Sequence, residues 1–171
     1  MKGDAGEGRT YVDLLGHYDR ERILHQPRFK DVDSIRVPDF VVTSAQNPDK
    51  FIEIVDAKAW SLTRQRDAQG KPLNYEDFFS YLLERPDPRS VLNMHEMQRV
   101  VEKYASSPRL EIKGKVVLYL PEDIIRYTPQ VPRQIQNWSG TDIAHGKVVE
   151  VRSMGVWNDE LWDDVRTRLE R

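Results

Sequence analysis

The chain has 171 residues, the length of a single domain with a core of its own. It has no cysteine, which excludes disulfides, zinc–thiolate sites and thiol nucleophiles, so any bound metal ion must be held by oxygen or imidazole ligands. The net charge of −2 lacks the basic excess typical of proteins that hold nucleic acid by bulk electrostatics, and we expect neither a membrane span nor a secretory signal, because long apolar runs are missing.

A helix followed by three short strands is predicted at the start of the chain. Apolar residues recur at helical spacing over residues 4–17, and the helix is expected to end near Gly16. Three segments rich in β-branched or aromatic residues come next, separated by turn-forming clusters, at residues 22–29, 35–43 and 50–60. We expect these segments to form a three-stranded meander.

An insertion, a helix and a strand are predicted next. Residues 61–93 are polar and contain glycine and proline, but residues 74–84 have one apolar side and begin with a capping asparagine, which indicates a short helix within the insertion. Residues 93–104 carry methionine, valine and tyrosine on one helical face, and residues 116–120 read as a strand.

The remaining residues predict a mixed tail. It consists of a short helix with Pro132 as its first residue, a strand at residues 147–151 and an amphipathic terminal helix at residues 158–169. The order helix, three strands, helix, strand and tail is typical of an α/β layered domain. We therefore expect one domain over residues 1–171, with its core at about 3–121, the insertion at 61–93 and the C-terminal strand and helix within 122–171.

Two carboxylates and a lysine stand at the ends of two neighbouring predicted strands. Asp56 and Lys58 are two residues apart, so their side chains point to the same face, above a core that Ile52 and Ile54 are expected to fill. Antiparallel pairing would bring Asp39 beside Asp56, although the sequence leaves the register open.

Such a pair of carboxylates, together with the carbonyl of Ala57, suits a hard divalent cation. Mg²⁺ is the expected ion, with Mn²⁺ or Zn²⁺ as alternatives. The ion would polarise a scissile phosphate and activate a water molecule, and Lys58 would orient or help deprotonate that water.

Pro38-Asp39, followed after a hairpin by Asp56-Ala57-Lys58, resembles the PD-(D/E)xK superfamily of restriction-endonuclease-like nucleases. The resemblance covers residues 3 to 121 approximately, and the αβββαβ core of that superfamily is similar to the predicted order of elements. It implies a central mixed sheet flanked by helices and a metal-dependent nuclease activity. It also implies that Glu7 on the first helix completes the metal site, with Glu21 in reserve, and that Gln98 on the later helix is catalytic.

Within that superfamily the chain resembles the toxin domains of bacterial contact-dependent growth inhibition and polymorphic toxin systems. It is compact, has no separate DNA-reading module, and begins at Lys2-Gly3-Asp4 as though cut from a longer protein. The resemblance implies delivery as part of a larger secreted protein, action in the cytoplasm of a target bacterium, and a cognate immunity protein that covers the active site, with the insertion as a docking surface.

The sequence leaves the substrate open between DNA and RNA, including transfer RNA. Two other readings of the chain also stay open. One is an endonuclease of restriction, repair or mobile elements, and the other is a degenerate member of the superfamily that only binds nucleic acid or protein.

A second acid-x-lysine triplet, Glu111-Ile112-Lys113, has Asp87 upstream of it. We reject it because Glu111 opens its predicted strand instead of closing one, and because a helix separates it from Asp87. Trp60, after the strand of Asp56, either packs in the core or stacks on a base.

The four histidines lack the spacing of a metal-binding pair. His95 is the one candidate to face the site, because it shares a helical stripe with Gln98 and Glu102. Glu53 points to the face opposite Asp56 and is predicted to be paired at the surface.

Overall fold

A five-stranded mixed sheet forms the centre of the protein. The computed structural model describes residues 2–27, 37–58 and 94–155. The strands lie in the order β1-β2-β3-β4-β5, with β1–β2 and β2–β3 antiparallel and β3–β4 and β4–β5 parallel. Their bounds are Ile23–His25, Phe40–Thr43, Phe51–Ala57, Leu110–Leu120 and Val148–Ser153.

Helices cover both faces of this sheet. They are α1 (Lys2–Leu15), α2 (Met94–Ala105), α3 (Glu122–Tyr127) and α4 (Gln130–Gln136), with short 3₁₀ turns at Arg20–Arg22 and Asp142–Ala144. Parallel strands need a crossover connection, and α2 lies in the one that joins β3 to β4.

The central strands bury side chains on both faces, as strands covered on both sides do. One face, here the α1 face, packs Tyr11 and Leu14 of α1 against Phe40, Val55 and Val117. The opposite face, here the α2 face, is filled by Ile54, Val116 and Leu118 with apolar residues of α2, α3 and α4. Alternation along each strand sends successive residues to opposite faces, so the two clusters share the same strands.

The predicted α/β class is confirmed: a mixed sheet is flanked by helices. The first helix, the antiparallel meander, the helix at residues 94–105 and the strands β4 and β5 all occur in the predicted order. β1 begins one residue later than predicted because Arg22 belongs to a 3₁₀ turn, and it ends at His25 because Gln26 has a φ of 45°. The predicted helices at residues 74–84 and 158–169, with the whole insertion at 61–93, lie outside the described residues.

β4 begins at Leu110, earlier than the predicted start at Val116. The register moves from Phe51–Leu110 to Glu53–Lys115, so the residues between them on β4 bulge out of the ladder, and Ile112 is 92% exposed there. The pattern of alternation is broken in a bulge, which is why the sequence did not predict this part of the strand.

The helices after β4 also differ from the prediction. The helix α3 was not predicted, because its six residues make fewer than two turns and give no clear helical period. The next helix begins at Gln130 and not at Pro132. Pro132 lies in its first turn, where the missing N–H of proline has no intrahelical acceptor to lose.

The outer edge of β5 is covered by side chains from α4 and the turn that follows it. Ser139 Oγ accepts a hydrogen bond from Val149 N at 2.8 Å and donates one to Val149 O at 3.0 Å. Gln136 Oε1 accepts from Val151 N at 3.1 Å. These bonds satisfy main-chain groups that a bare edge strand would present to solvent.

Candidate active site

The register of β2 and β3 brings Asp39 next to Asp56. Phe40 pairs with Val55, so one residue further along the ladder Asp39 faces Asp56. Asp39 Oδ2 accepts a hydrogen bond from the main-chain N–H of Ala57 at 2.7 Å. Burial, and then the negative charge of the nearby Asp56, raises the pKa of Asp39.

Pro38, just before β2, has no N–H to donate to the carbonyl of Ala57. The pairing of Phe40 with Val55, continued two residues beyond β2, would set Pro38 opposite Ala57. In a strand the N–H and C=O of one residue point to the same side, so the carbonyl of Ala57 points towards β2 as its N–H does. Pro38 therefore gives that carbonyl no ladder hydrogen bond, and it is a suitable oxygen ligand for a cation.

Asp56 and Lys58 form an ion pair at the carboxyl end of β3. Lys58 Nζ lies 2.8 Å from Asp56 Oδ2, and their side chains are 15% and 7% exposed. The main-chain N–H of Lys58 donates to Tyr119 O at 2.9 Å, which extends the pairing with β4 by one residue beyond β3. The site therefore lies where β3 ends, held from both neighbouring strands.

The apolar floor below Asp56 is only partly the one predicted. Ile54 packs in the core of the α2 face, as expected. Ile52 packs against the cluster of the α1 face instead, because the pairing of β3 with β4 is irregular between Phe51 and Glu53. A bulge of this kind breaks the strict alternation on which the prediction relied.

Glu7 reaches the site from α1. Its Oε2 lies 3.1 Å from His25 Nε2, and its Oε1 accepts a hydrogen bond from Gln26 Nε2 at 3.2 Å. Glu7 also approaches Asp39 closely enough for each carboxyl group to shift the pKa of the other. The structure thus brings together Glu7, Asp39, Asp56, Ala57 and Lys58.

The carboxyl groups of Glu7 and Asp39 have opposite pKa shifts. Burial, followed by the negative charge of Asp56, raises the pKa of Asp39 to about 9. Burial opposes ionisation of Glu7 as well, but hydrogen bonds from His25, Asp39 and Gln26 outweigh it and lower the pKa of Glu7. These shifts favour a protonated Asp39 beside an ionised Glu7.

The donor chemistry of these residues fits a hard cation. Within residues 2–27, 37–58 and 94–155, no three Asp, Glu or His side chains are already arranged as the ligands of one metal ion. The carboxylates and the Ala57 carbonyl are nevertheless all oxygen donors, which Mg²⁺ prefers. Burial and a neighbouring negative charge both disfavour an ionised carboxylate at this site, and a bound cation would favour it.

Gln98 is half-buried on α2, and among the described residues it makes no hydrogen bond to Asp39, Asp56 or Lys58. His95 and Glu102, its partners on the predicted stripe, are exposed. The stripe therefore borders the buried side of α2, where Met97 and Val101 pack, and does not point into the core. Glu21 is exposed in the 3₁₀ turn after α1, so Glu7 is the acidic residue that approaches Asp39.

The prediction that Glu53 is paired at the surface is wrong. Glu53 does lie on the face opposite Asp56, but its side chain is only 3% exposed, because α1 covers that face. Arg152 holds both of its carboxylate oxygens at 2.9 Å, and Tyr18 OH donates to Oε2 as well. Arg152 also contacts Tyr119 OH, which donates to Asp13 of α1, so this buried network ties α1 to β3, β4 and β5.

The rejected triplet Glu111-Ile112-Lys113 lies in the bulge of β4. Glu111 follows the first residue of the strand, and Ile112 and Lys113 are exposed. Asp87 and Trp60 are outside the described residues. The triplet therefore has no described carboxylate partner from a neighbouring strand, unlike Asp56-Ala57-Lys58.

His25 and Gln26 are site residues that the sequence analysis missed. They are eighteen and nineteen positions from Glu7 in the chain, and no local spacing connects them to it. The only usable signal was alternation, because Ile23 packs on the α1 face and His25, two residues later, points to the same face.

No helix in the described ranges is both long and apolar enough to cross a membrane. Comparisons of the chain with protein-family models, with curated proteins and with solved structures find no match.

Proposed function

We propose that this chain is a metal-dependent nuclease of the PD-(D/E)xK type, which hydrolyses phosphodiester bonds in DNA or RNA. The observation that supports this best is the pairing of β2 with β3. It sets the carboxylate of Asp39 on the N–H of Ala57 at 2.7 Å, beside Asp56 and its 2.8 Å ion pair with Lys58. The order helix, three antiparallel strands, helix, parallel strand is consistent with the αβββαβ core of that superfamily.

Four groups of the chain would hold the metal ion: the carboxylates of Asp39, Asp56 and Glu7 and the carbonyl of Ala57. Mg²⁺ is the expected ion, with Mn²⁺ or Zn²⁺ as alternatives. A bound divalent ion supplies charge neutralisation at a scissile phosphate and makes water more acidic. As a ligand Asp39 would be ionised, and the Ala57 N–H, which donates to its Oδ2, would hold that carboxylate in place.

Among the described residues Lys58 is the cation paired with Asp56, and we propose that it acts on the substrate. Its ammonium is a compact point charge on a long stem, so it can move from Asp56 to a phosphate oxygen or a water molecule. There it would offset negative charge as the phosphodiester bond breaks and orient the attacking water. Gln98 stays a prediction as a further catalytic residue, because no described contact links it to Lys58.

The test is an incubation of the purified chain with Mg²⁺, supercoiled plasmid and total RNA. We expect one substrate to disappear, and EDTA to prevent this. Asp39→Asn, Asp56→Asn and Lys58→Met should each lower the rate by about 10²-fold or more. The matched control is Glu111→Gln with Lys113→Met, which changes the other acid-x-lysine triplet and should leave the rate unchanged. Full activity in a folded Asp56→Asn variant would refute the proposal.

We further propose that the nuclease is a toxin domain of a contact-dependent growth inhibition or polymorphic toxin system. Such a domain acts in the cytoplasm of a target bacterium and is neutralised by an immunity protein that covers the active site. Expression of the wild-type chain alone should stop growth, and the Asp56→Asn variant should not. Harmless expression of an active wild-type enzyme would favour a restriction, repair or mobile-element nuclease instead.

A further inference from the structure

Two consecutive residues hold both carboxylate oxygens of Glu7. His25 ends β1, and its Nε2 lies 3.1 Å from Glu7 Oε2. Gln26 follows, and its side-chain amide donates to Glu7 Oε1 at 3.2 Å. Each carboxylate oxygen has a second lone pair, so a carboxylate held in this way can still bind a cation.

The same two residues also contact the strand that carries Asp39. The main-chain N–H of Gln26 donates to Asp39 O at 2.8 Å. The ring of His25 lies against that of Phe40, with 5.0 Å between the centroids, and Phe40 in turn stacks on Tyr11 of α1 at 5.8 Å. The position of Glu7 relative to Asp39 is therefore fixed through His25, Gln26 and Phe40.

Gln26 has a backbone conformation that non-glycine residues rarely adopt. Its φ is 45°, in the left-handed region, where a side chain is strained. Such strain persists only when the surrounding contacts hold it, and here these contacts are the two hydrogen bonds to Glu7 and Asp39. A glycine would adopt this φ freely, but it would lack the amide that binds Glu7.

We propose that His25 and Gln26 are positioning residues, which fix the carboxylate of Glu7 beside Asp39 so that the ligands of the metal site are in place before the ion binds. This inference rests on the proposed function, because it assigns the two hydrogen bonds to Glu7 to that metal site. A role limited to joining β1 to α1 would instead affect folding alone. The two roles differ in whether metal affinity changes when the fold does not.

The experiment is a calorimetric titration of the full chain with Mn²⁺, accompanied by a thermal unfolding curve for each variant. Partners of metal ligands typically change metal affinity by about 10–100-fold when removed, and we expect this for His25→Ala. Gln26→Gly should weaken Mn²⁺ binding while keeping the fold, since glycine suits φ 45°. His25→Gln should restore binding, because its amide nitrogen donates in place of Nε2.

The matched control is His17→Ala. His17 Nε2 also lies near a carboxylate of α1, Asp13 Oδ1 at 4.0 Å, but it is exposed and away from Asp39. Its removal should leave Mn²⁺ affinity unchanged. The inference is overturned if His25→Ala and Gln26→Gly both fold and keep wild-type Mn²⁺ affinity, or if His25→Gln does not restore the affinity lost in His25→Ala. In either case Mn²⁺ binding by the wild-type chain would still support the nuclease. A wild-type chain that binds no Mn²⁺ overturns both.

Discussion

Replacing Arg152 by alanine removes the cation that neutralises the buried carboxylate of Glu53. Arg152 Nη1 and Nη2 each lie 2.9 Å from an oxygen of Glu53, whose side chain is 3% exposed. Burial opposes ionisation of Arg152, but the hydrogen bonds and charge of Glu53 outweigh it, and the pKa of Arg152 lies above its ordinary value. Arg152 therefore keeps its charge in the folded protein.

The expected loss in the free energy of unfolding is about 3–5 kcal/mol, the cost of leaving a buried charge without its partner. The hydroxyl of Tyr18 still donates to Glu53 after the substitution, but a single neutral donor does not replace a bidentate guanidinium. A small domain is stable by only about 5–15 kcal/mol, so this variant should be close to its limit of folding.

Urea unfolding at pH 7, followed by tryptophan fluorescence, measures this loss. The matched control is Arg126→Ala, which removes an ion pair with Glu122 at 3.7 Å in which Arg126 is 61% exposed. That change should cost less than about 0.5 kcal/mol. The double variant Arg152→Ala with Glu53→Gln should be more stable than Arg152→Ala alone, because no charge is then left buried. Equal losses for Arg152→Ala and Arg126→Ala would refute the reasoning.

Three further predictions concern the site and the bulge of β4. Because the folded chain raises the pKa of Asp39 from 3.8 to about 9, its contribution to stability is present below pH ~4 and is lost as the pH rises to about 9. In EDTA, between pH 5 and 8, the free energy of unfolding of the wild-type chain should fall by up to about 1.4 kcal/mol per pH unit relative to that of Asp39→Asn. The same pH dependence of that free energy in both proteins, measured by urea unfolding, would contradict this. Saturating Mg²⁺ should raise the melting temperature of the wild-type chain at pH 8 and flatten that slope, with no effect on Asp39→Asn; an equal shift in both would argue against the site. Gly114→Ala would put a Cβ 2.4 Å from Leu110 Cδ1 and 2.8 Å from Glu111 O, so it should cost about 1–3 kcal/mol in urea unfolding, and a neutral result would contradict the close packing there.

Alternation along strands was enough to place the centre of the site from sequence. The spacing of Asp56 and Lys58 put both on one face of β3, and the hairpin before them predicted an antiparallel neighbour that carries Asp39. The register was open, since one slipped residue would have separated the carboxylates. The pairing of Phe40 with Val55 supplies it, and the carboxylate of Asp39 accepts a hydrogen bond from the Ala57 N–H.

The sequence predicted less well what covers each face. Glu53 was assigned to the correct face but to the wrong environment, because alternation says nothing of the helix that packs there or of an arginine ninety-nine positions away. The contacts of His25 and Gln26 with Glu7 were missed for the same reason. Long-range partners of this kind are fixed by the packing of whole elements, and no local pattern reports them.

The covered edge of β5 limits how other proteins can bind this chain. Strand addition requires a row of main-chain N–H and C=O groups that can accept a new neighbour. On β5, Ser139 already bonds the N–H and C=O of Val149, and Gln136 the N–H of Val151. A second copy, or an inhibitor that recognises extended backbone, would first have to displace these two side chains before it could pair with β5.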